Sequence, residues 1–486
     1  MTACFDSSAP TMSNKTPLQK PSGFVRINAT IQGYSEIQPW ERKQPHQRRG
    51  LGALLDNDLI LTTSEMVTNQ VYLELESADG SKKIPAKVIA VDRDVNLALV
   101  TSEKPASETF LKDLVALQLA PPLKLHAKVQ TWQLERNGQS TSTDTSISAV
   151  DVVASYSGGK RFFSYLVKGS LQSATNSFTV PVLAEGMLAG LLTTYNAKEQ
   201  ISEVVSSTII NQFLENARNP QYQGFPALGI AGTQMPNDFF RNWLGMTDDE
   251  GGIYITKVAP NSSAESIGLQ IGDVILEIDG YTLDRKGYYT DPMYGKLTWT
   301  HLIRGSKLVG DTTLIKIKRK GEIIKKEVTL KPVPNLLVPK EFSPQGPQYL
   351  IKGGVIFQQL TAQFLKAFGA EWSSRAPLNL LDIYYNSQNY EDTISEAVII
   401  TGIIPSEGTV GYENIRNSLV KEINGVAITK MADLETGFAT PKDGIHHILL
   451  SEAPYNIYLN ASICEAVDSA LLQQGISSLQ RILPKQ

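Results

Sequence analysis

Three short segments hold the residue types from which a hydrolytic site is built. Ile60-Leu61-Thr62-Thr63-Ser64-Glu65-Met66-Val67 ends an apolar run on hydroxyls and a carboxylate. Val91-Asp92-Arg93-Asp94-Val95-Asn96-Leu97-Ala98-Leu99-Val100 leads through polar residues, with Asn96 last, into a second apolar run. Thr175-Asn176-Ser177-Phe178-Thr179-Val180-Pro181-Val182 precedes Gly186-Met187-Leu188-Ala189-Gly190-Leu191. Acyl-transfer chemistry needs an activated nucleophile beside a base, and Ser177 with Glu65 is the pair these segments offer. A carboxylate base of that kind would need burial to raise its pKa. The usual base at neutral pH is an imidazole. The five histidines are His46, His126, His301, His446 and His447, so none falls between 47 and 125.

The elements that must position these residues are mostly short strands. Val25-Arg26-Ile27-Asn28-Ala29-Thr30-Ile31 alternates with period two. Leu51-Gly52-Ala53-Leu54-Leu55 and Leu59-Ile60-Leu61 flank a turn at Asn57-Asp58, and Val71-Tyr72-Leu73-Glu74-Leu75 precedes another at Asp79-Gly80. Strands at this spacing predict a barrel or sandwich. Ser206 to Leu214 reads as a helix with a hydroxyl cap. Asn219-Pro220 then breaks the chain.

A different chemistry follows the break. Phe225-Pro226-Ala227-Leu228-Gly229-Ile230 opens a unit containing Gly268-Leu269-Gln270-Ile271-Gly272-Asp273-Val274-Ile275-Leu276-Glu277-Ile278-Asp279-Gly280. Gly268 and Gly272 suit tight bends, Asp273 can hold a turn, and Val274, Ile275 and Ile278 feed a core. This run resembles a PDZ domain. Prolines between Pro332 and Pro347 read as a semi-rigid spacer. Beyond it, Ala397 to Ile400 and Ser418 to Val426 resemble a second, degraded PDZ, with Asn417-Ser418-Leu419-Val420 in place of G-D-V-I.

The first two segments resemble those bearing the catalytic His and Asp of trypsin-like proteases of the HtrA/Deg family. The resemblance implies a mainly β chain: a trypsin-like double β-barrel, a PDZ domain and a second PDZ-like domain, as in two-PDZ plant-type Deg proteases. The expected boundaries are a disordered tail 1–20, the barrels 21–218, the first PDZ 219–335, a connector 336–347 and the second PDZ-like unit 348–486. The resemblance puts Glu65 at the His position, Asn96 at the Asp position and Phe178 at the nucleophile, with Asn176, Thr179 and Val180 replacing glycines. A trypsin-like triad needs all three groups, and β-branched Thr179 and Val180 are poor at the backbone angles of an oxyanion hole. The expectation is a pseudoprotease without catalytic residues; the alternative is an active serine endopeptidase of protein quality control with a rearranged site.

The resemblance also implies partners: peptides or protein C-termini, bound by strand addition at Leu228, Gly229 and Ile230. Leu302, on a helix around Trp299 to Ile303, would be the opposite wall. His301 reads as a surface residue. The aromatics of 281–297, including Tyr288, Tyr289 and Tyr294, either line that groove or pack. Homo-oligomers, or hetero-oligomers with an active paralogue, are expected.

Composition bounds the rest. The chain has 486 residues, 42% hydrophobic and 19% charged, which suits about three globular domains. A formal net charge of −4 gives no field for nucleic acid. Cys4 and Cys464 are the only cysteines and frame neither a disulfide scaffold nor a metal site, and no cofactor is expected. Thr2-Ala3-Cys4 resembles the end of a bacterial lipoprotein signal without the preceding apolar stretch. An accidental cysteine is the plainer reading; a lipid tether at Cys4 would place the protein at a membrane or in the bacterial periplasm.

Overall fold

The structure is a computed structural model that describes residues 23–55, 58–135, 139–154, 160–169, 179–219, 222–334, 336–340, 342–343 and 345–483. Cys4 and 176–178, with Ser177 and Phe178, lie outside the described residues.

Alternating strands close into two barrels. The first uses β1 (Phe24–Ile31), β2 (His46–Leu54), β3 (Ile60–Thr62), β4 (Gln70–Glu76), β5 (Lys83–Asp92) and β6 (Leu97–Ser102), with α1 (Ser64–Val67) after β3. Their order around the barrel is β1-β2-β3-β6-β5-β4. Ile27 lies opposite Gly50 on one side and Leu75 on the other, which closes the ring. The second uses β7 (Lys128–Leu134), β8 (Ser140–Ala154), β9 (Arg161–Lys168), β10 (Val180–Ala184), β11 (Met187–Asn196) and β12 (Ile201–Ser206), and closes where Val182 meets Thr131. Helix α2 (Ser207–Ala217) follows, capped by Ser206 Oγ accepting from Ile209 N as its hydroxyl suggested.

The next unit runs β13 (Pro226–Ala227), β14 (Ile230–Thr233), α3 (Asp238–Trp243), β15 (Ile253–Val258), α4 (Ser263–Ser266), β16 (Val274–Ile278), β17 (Tyr281–Thr282), β18 (Tyr288–Asp291), β19 (Gly295–Thr298), α5 (Thr300–Arg304), β20 (Thr312–Arg319), β21 (Glu322–Thr329) and β22 (Lys331–Pro332). Its main sheet has the order β14-β15-β16-β20-β21, so β14 is an edge strand. Asp273 holds the turn before β16: its Oδ2 accepts from Gln270 N, and Arg319 grips both carboxylate oxygens at 2.6 and 2.7 Å. The pair is bidentate and Asp273 is fully buried, so the turn is fixed by a charge-assisted clamp.

The last unit runs β23 (Tyr349–Lys352), β24 (Val355–Gln359), α6 (Ala362–Lys366), α7 (Trp372–Arg375), α8 (Leu378–Tyr385), β25 (Val398–Ile403), β26 (Ser418–Ile423), β27 (Val426–Ala427), α9 (Asp433–Ala439), β28 (Ile445–Leu450), β29 (Asn456–Asn460), α10 (Ala461–Gln473) and β30 (Gln480–Arg481). Its sheet order is β29-β28-β26-β25-β24-β23-β30. The proline-rich stretch read as a spacer is packed instead. Leu337 and Val338 are buried against Leu360, Phe364 and Leu380, and Ala362 N donates to Pro339 O. Apolar residues between the prolines give it a face to bury.

The units are not beads on a string. One core runs from both barrels into the unit that follows α2. Phe225 meets Phe162 edge-on at 4.9 Å, and Tyr222 donates its hydroxyl to Asp92 at 2.7 Å. The last unit docks on the 32–45 loop of the first barrel. There Tyr34 lies between the guanidinium groups of Arg42 and Arg481, at 4.6 and 4.3 Å, and Arg481 also donates to Pro39 O.

Candidate functional site

Among the described residues, two places are candidates for chemistry. The first is the seam between the barrels. Thr62 ends β3 and Thr63 stands at the N-cap of α1, and both are tied across the seam to Thr179, with hydroxyl–hydroxyl distances of 2.8 and 3.0 Å. All three are buried. Thr179, which stands where the resemblance has a glycine, therefore acts as a clamp between barrels. Gly50 leaves room for it: a Cβ there would sit 3.1 Å from Thr179 N.

Helix α1 starts beside this clamp and is organised by Asn96. The Asn96 backbone is left-handed, with φ +59°, a conformation asparagine tolerates. Its Oδ1 accepts from Ser64 Oγ at 2.8 Å and from Glu65 N at 3.1 Å. Its Nδ2 is buried and, among the described residues, reaches no acceptor in full hydrogen-bond geometry, yet the amide favours the ionised form of the Glu65 carboxylate. Arg48 donates to Glu65 O and also favours that form. Burial outweighs both and pushes the Glu65 carboxyl above its ordinary range. So Glu65 and Asn96 do come together, as the resemblance implied. What they make is a desolvated carboxylate beside a guanidinium, without an imidazole. His46 begins β2 opposite Ile31, His126 precedes β7, and the other three lie in the two units after the barrels.

The second place is the loop Leu228-Gly229-Ile230 and strand β14. Gly229 has φ +75°, and a Cβ there would lie 2.2 Å from Ser262 Cβ, so only glycine fits. Leu228 O and Gly229 O accept from Ala264 N and Ala259 N, fastening the loop to the start of α4. Ile230 pairs with Val258 and Thr233 with Tyr254. Among the described residues, β14 pairs with β15 alone, and Ala231, Gly232 and Thr233 are exposed. Its free edge can accept another strand.

Leu302 on α5 is only 9% exposed and belongs to the shared core beside Ile303. The wall it was expected to form is therefore largely filled, and substituting it would load the core. The expectation for His301 also changes: its ring packs on Phe163 of β9 at 5.2 Å, it bonds Tyr289 Oη through Nδ1, and burial lowers its pKa. The open question about the aromatics resolves toward packing for two of them. Tyr289 is buried on His301, and Tyr294 packs at a tilt on Phe163 at 4.8 Å and donates to Leu123 O at 3.1 Å. The hairpin β18–β19 is thus a prong seated on the second barrel.

Sequence reasoning missed Arg48 as a partner of Glu65 and the Tyr222–Asp92 contact. Both pairs join residues far apart in sequence, so no local pattern marks them. It also passed over Phe239 and Trp243, although two phenylalanines and a tryptophan in a polar stretch were visible.

The last unit lacks the second place. Its β24 follows a glycine turn, Gly353-Gly354, but is paired on both sides, with β25 and with β23, and β30 extends the sheet beyond β23. Gly353 N is already satisfied by Asp468 Oδ1 at 2.7 Å.

With this geometry in hand, the chain can be set beside known proteins. The family pattern described as PDZ domain matches residues 233–285 and again 338–478. Protease Do-like 2, chloroplastic, of Arabidopsis thaliana is 25% identical over 418 residues, covering 85% of this chain and 67% of the relative. Protease Do-like 4, mitochondrial, of the same plant is 24% identical, covering 85% and 76%. Serine protease HTRA1 of Xenopus tropicalis is 26% identical over 281 residues, 54% of this chain and 59% of that one. Among solved structures, an HtrA-type protease AlgW with a decapeptide aligns at TM-score 0.49 and 16% identity, covering 65% of this chain and 96% of that one.

Proposed function

The chain is a homologue of the HtrA/Deg-type, trypsin-like serine proteases that carry PDZ domains, and from that premise we propose that it works by capturing peptides or protein C-termini at its first PDZ unit, without cutting them. The observation that carries this reading is the free edge of β14 beside a glycine loop. An extended peptide can add there as a strand, with backbone N–H groups of the loop facing its terminal carboxylate. The seam between the barrels supports the silent half of the reading, because Glu65 and Asn96 occupy the resemblance's His and Asp positions and no imidazole stands by. The role that follows is a scaffold, chaperone-like holder or regulator of an active paralogue, as a homo- or hetero-oligomer. A lipid on Cys4, detectable by mass spectrometry of the intact amino terminus, would tether it to a membrane.

A rival reading draws on Glu65. Burial raises its pKa, which moves a carboxylate toward use as a base near neutral pH; Ser177 would be the nucleophile. Two assays separate the readings. Fluorescent casein should stay intact, and a serine-directed phosphonate should leave the protein unlabelled. Cleavage or labelling that vanishes in Ser177→Ala establishes the rival. In the binding assay, Ile230→Glu places a negative charge beside the captured carboxylate and should weaken a C-terminal peptide at least about tenfold. Circular dichroism of that variant should match the parent. Unchanged affinity removes the groove from consideration.

A further inference from the structure

Helix α3 carries exposed apolar surface just beyond the free edge strand. Phe239 is 86% exposed and Trp243 76%. They stand four positions apart, hence on one face. Contiguous exposed apolar surface on a domain commonly marks a contact site. The helix presents them rigidly. Asn237 caps it by accepting from Phe240 N at 3.0 Å. Phe240 packs edge-on against Tyr254 at 5.0 Å and stacks with Trp243. Arg241 is buried beneath, and its Nη2 donates to Thr247 O and Glu250 O. Met235, Met246, Val274 and Leu276 complete the floor.

Its place relative to the groove follows from the chain path. A peptide whose carboxylate sits at Leu228-Gly229-Ile230 and which runs antiparallel to β14 has about four residues opposite Ile230 to Thr233. Residues farther from its C-terminus must leave past Gln234. There Gln234 Nε2 donates to Lys286 O at 3.1 Å, and Arg285 pairs at 2.9 Å with Asp238, the first residue of α3. The open end of the groove is therefore joined directly to α3. Arg285 also lies 3.8 Å from the Asp248 carboxylate, so Asp238 and Asp248 share one guanidinium, and exposed Asp249 adds a further negative charge beyond it.

We propose that Phe239 and Trp243 form an upstream subsite of the first PDZ unit. It takes an aromatic or large aliphatic side chain at the fifth to seventh residue from a peptide's C-terminus, with a basic residue favoured next to it. This rests on the peptide-binding reading of β14 and adds the selectivity that a four-residue groove lacks. The rigid platform limits the ordering cost of the contact.

The test uses the full chain and two labelled synthetic peptides in fluorescence anisotropy. One is a tetrapeptide ending in valine. The other is an octapeptide with the same last four residues, phenylalanine sixth from the end and lysine seventh. The octapeptide should bind about five- to tenfold tighter, the range of a good aromatic contact. That gain should vanish when the peptide phenylalanine becomes glycine, and in a Phe239→Ser, Trp243→Ser double variant. Equal affinity for both peptides in the parent, or a gain that survives the double variant, overturns the subsite. Failure of both peptides to bind overturns the groove itself; tetrapeptide binding without a gain overturns only α3. Self-association of the parent in sedimentation that the double variant loses assigns the surface to a second copy and also overturns the proposal.

Discussion

The two PDZ units share a sheet plan and differ at one edge. In the first, β14 pairs with β15 and, among the described residues, leaves its other side open. In the second, the equivalent strand after a glycine turn, β24, has β23 hydrogen-bonded where an added strand would lie, and β30 beyond that. The glycine loops differ in the same sense. Gly229 is packed on Ser262 with its loop at the end of the open edge, whereas Gly353 N is already taken by Asp468. Strand addition needs unpaired backbone groups. Matching a family pattern is therefore a weaker statement about binding than the pairing of a single strand. The units also keep their turns differently. Asp273 is clamped by Arg319 in the first, while Asn417, at φ +59°, makes the corresponding bend in the second without a carboxylate.

The largest expected effect tests that last contrast. Arg319→Ala leaves Asp273 buried and unpaired, which should cost about 3 kcal/mol. Denaturant unfolding should show a destabilised first unit and loss of peptide binding with it. A variant as stable as the parent would mean the clamp adds nothing.

The Asp92 contact ties the first PDZ unit to the barrels, and its pH response is next in size. Burial is the main cause that raises the Asp92 carboxyl; Asp94 adds to it, while the Tyr222 hydrogen bond, Val95 N–H and Lys160 oppose it. Burial is likewise the main cause that raises the Tyr222 phenol, so it stays a donor. A raised folded pKa means the group's contribution is full below the ordinary carboxylate value of about 4 and is lost as pH rises through the folded value. Asp92→Asn, which cannot ionise, should gain on the parent by about 1 kcal/mol at pH 8, and the gap should narrow toward pH 5. Unfolding curves at the two pH values measure it; a pH-independent gap contradicts the assignment.

A smaller effect bears on the closed edge. Arg481 follows Gln480 in β30 and stacks on Tyr34, so Arg481→Ala should loosen β23 by about 1 kcal/mol. Amide exchange at Tyr349–Lys352 should quicken while β14 is unaffected.

Much of this architecture is written in local sequence. Period-two strands, the Ser206 cap and the Gly268 to Gly280 run each reflect local constraints, and each appears where those constraints put it. Glu65 and Asn96 were legible as a pair only through the family resemblance of their two segments, which end up beside each other because β3 and β6 pair. The occupied edge of β24 was not legible, because which strands flank it depends on pairing with β30 near the far end of the chain. His301 and Tyr294 were ambiguous for the same reason: Phe163, which both contact, lies in another domain. The connector misled because prolines suggest a spacer, while Leu337 and Val338 between them supply an apolar face.

The most direct test of capture at one edge is hydrogen exchange on the full chain with and without a saturating C-terminal peptide. Protection should appear at Ile230–Thr233, and Val355–Gln359, already paired on both sides, should not change. Protection at Val355–Gln359 instead, or at neither strand, would contradict the assignment of binding to the open edge of the first PDZ unit.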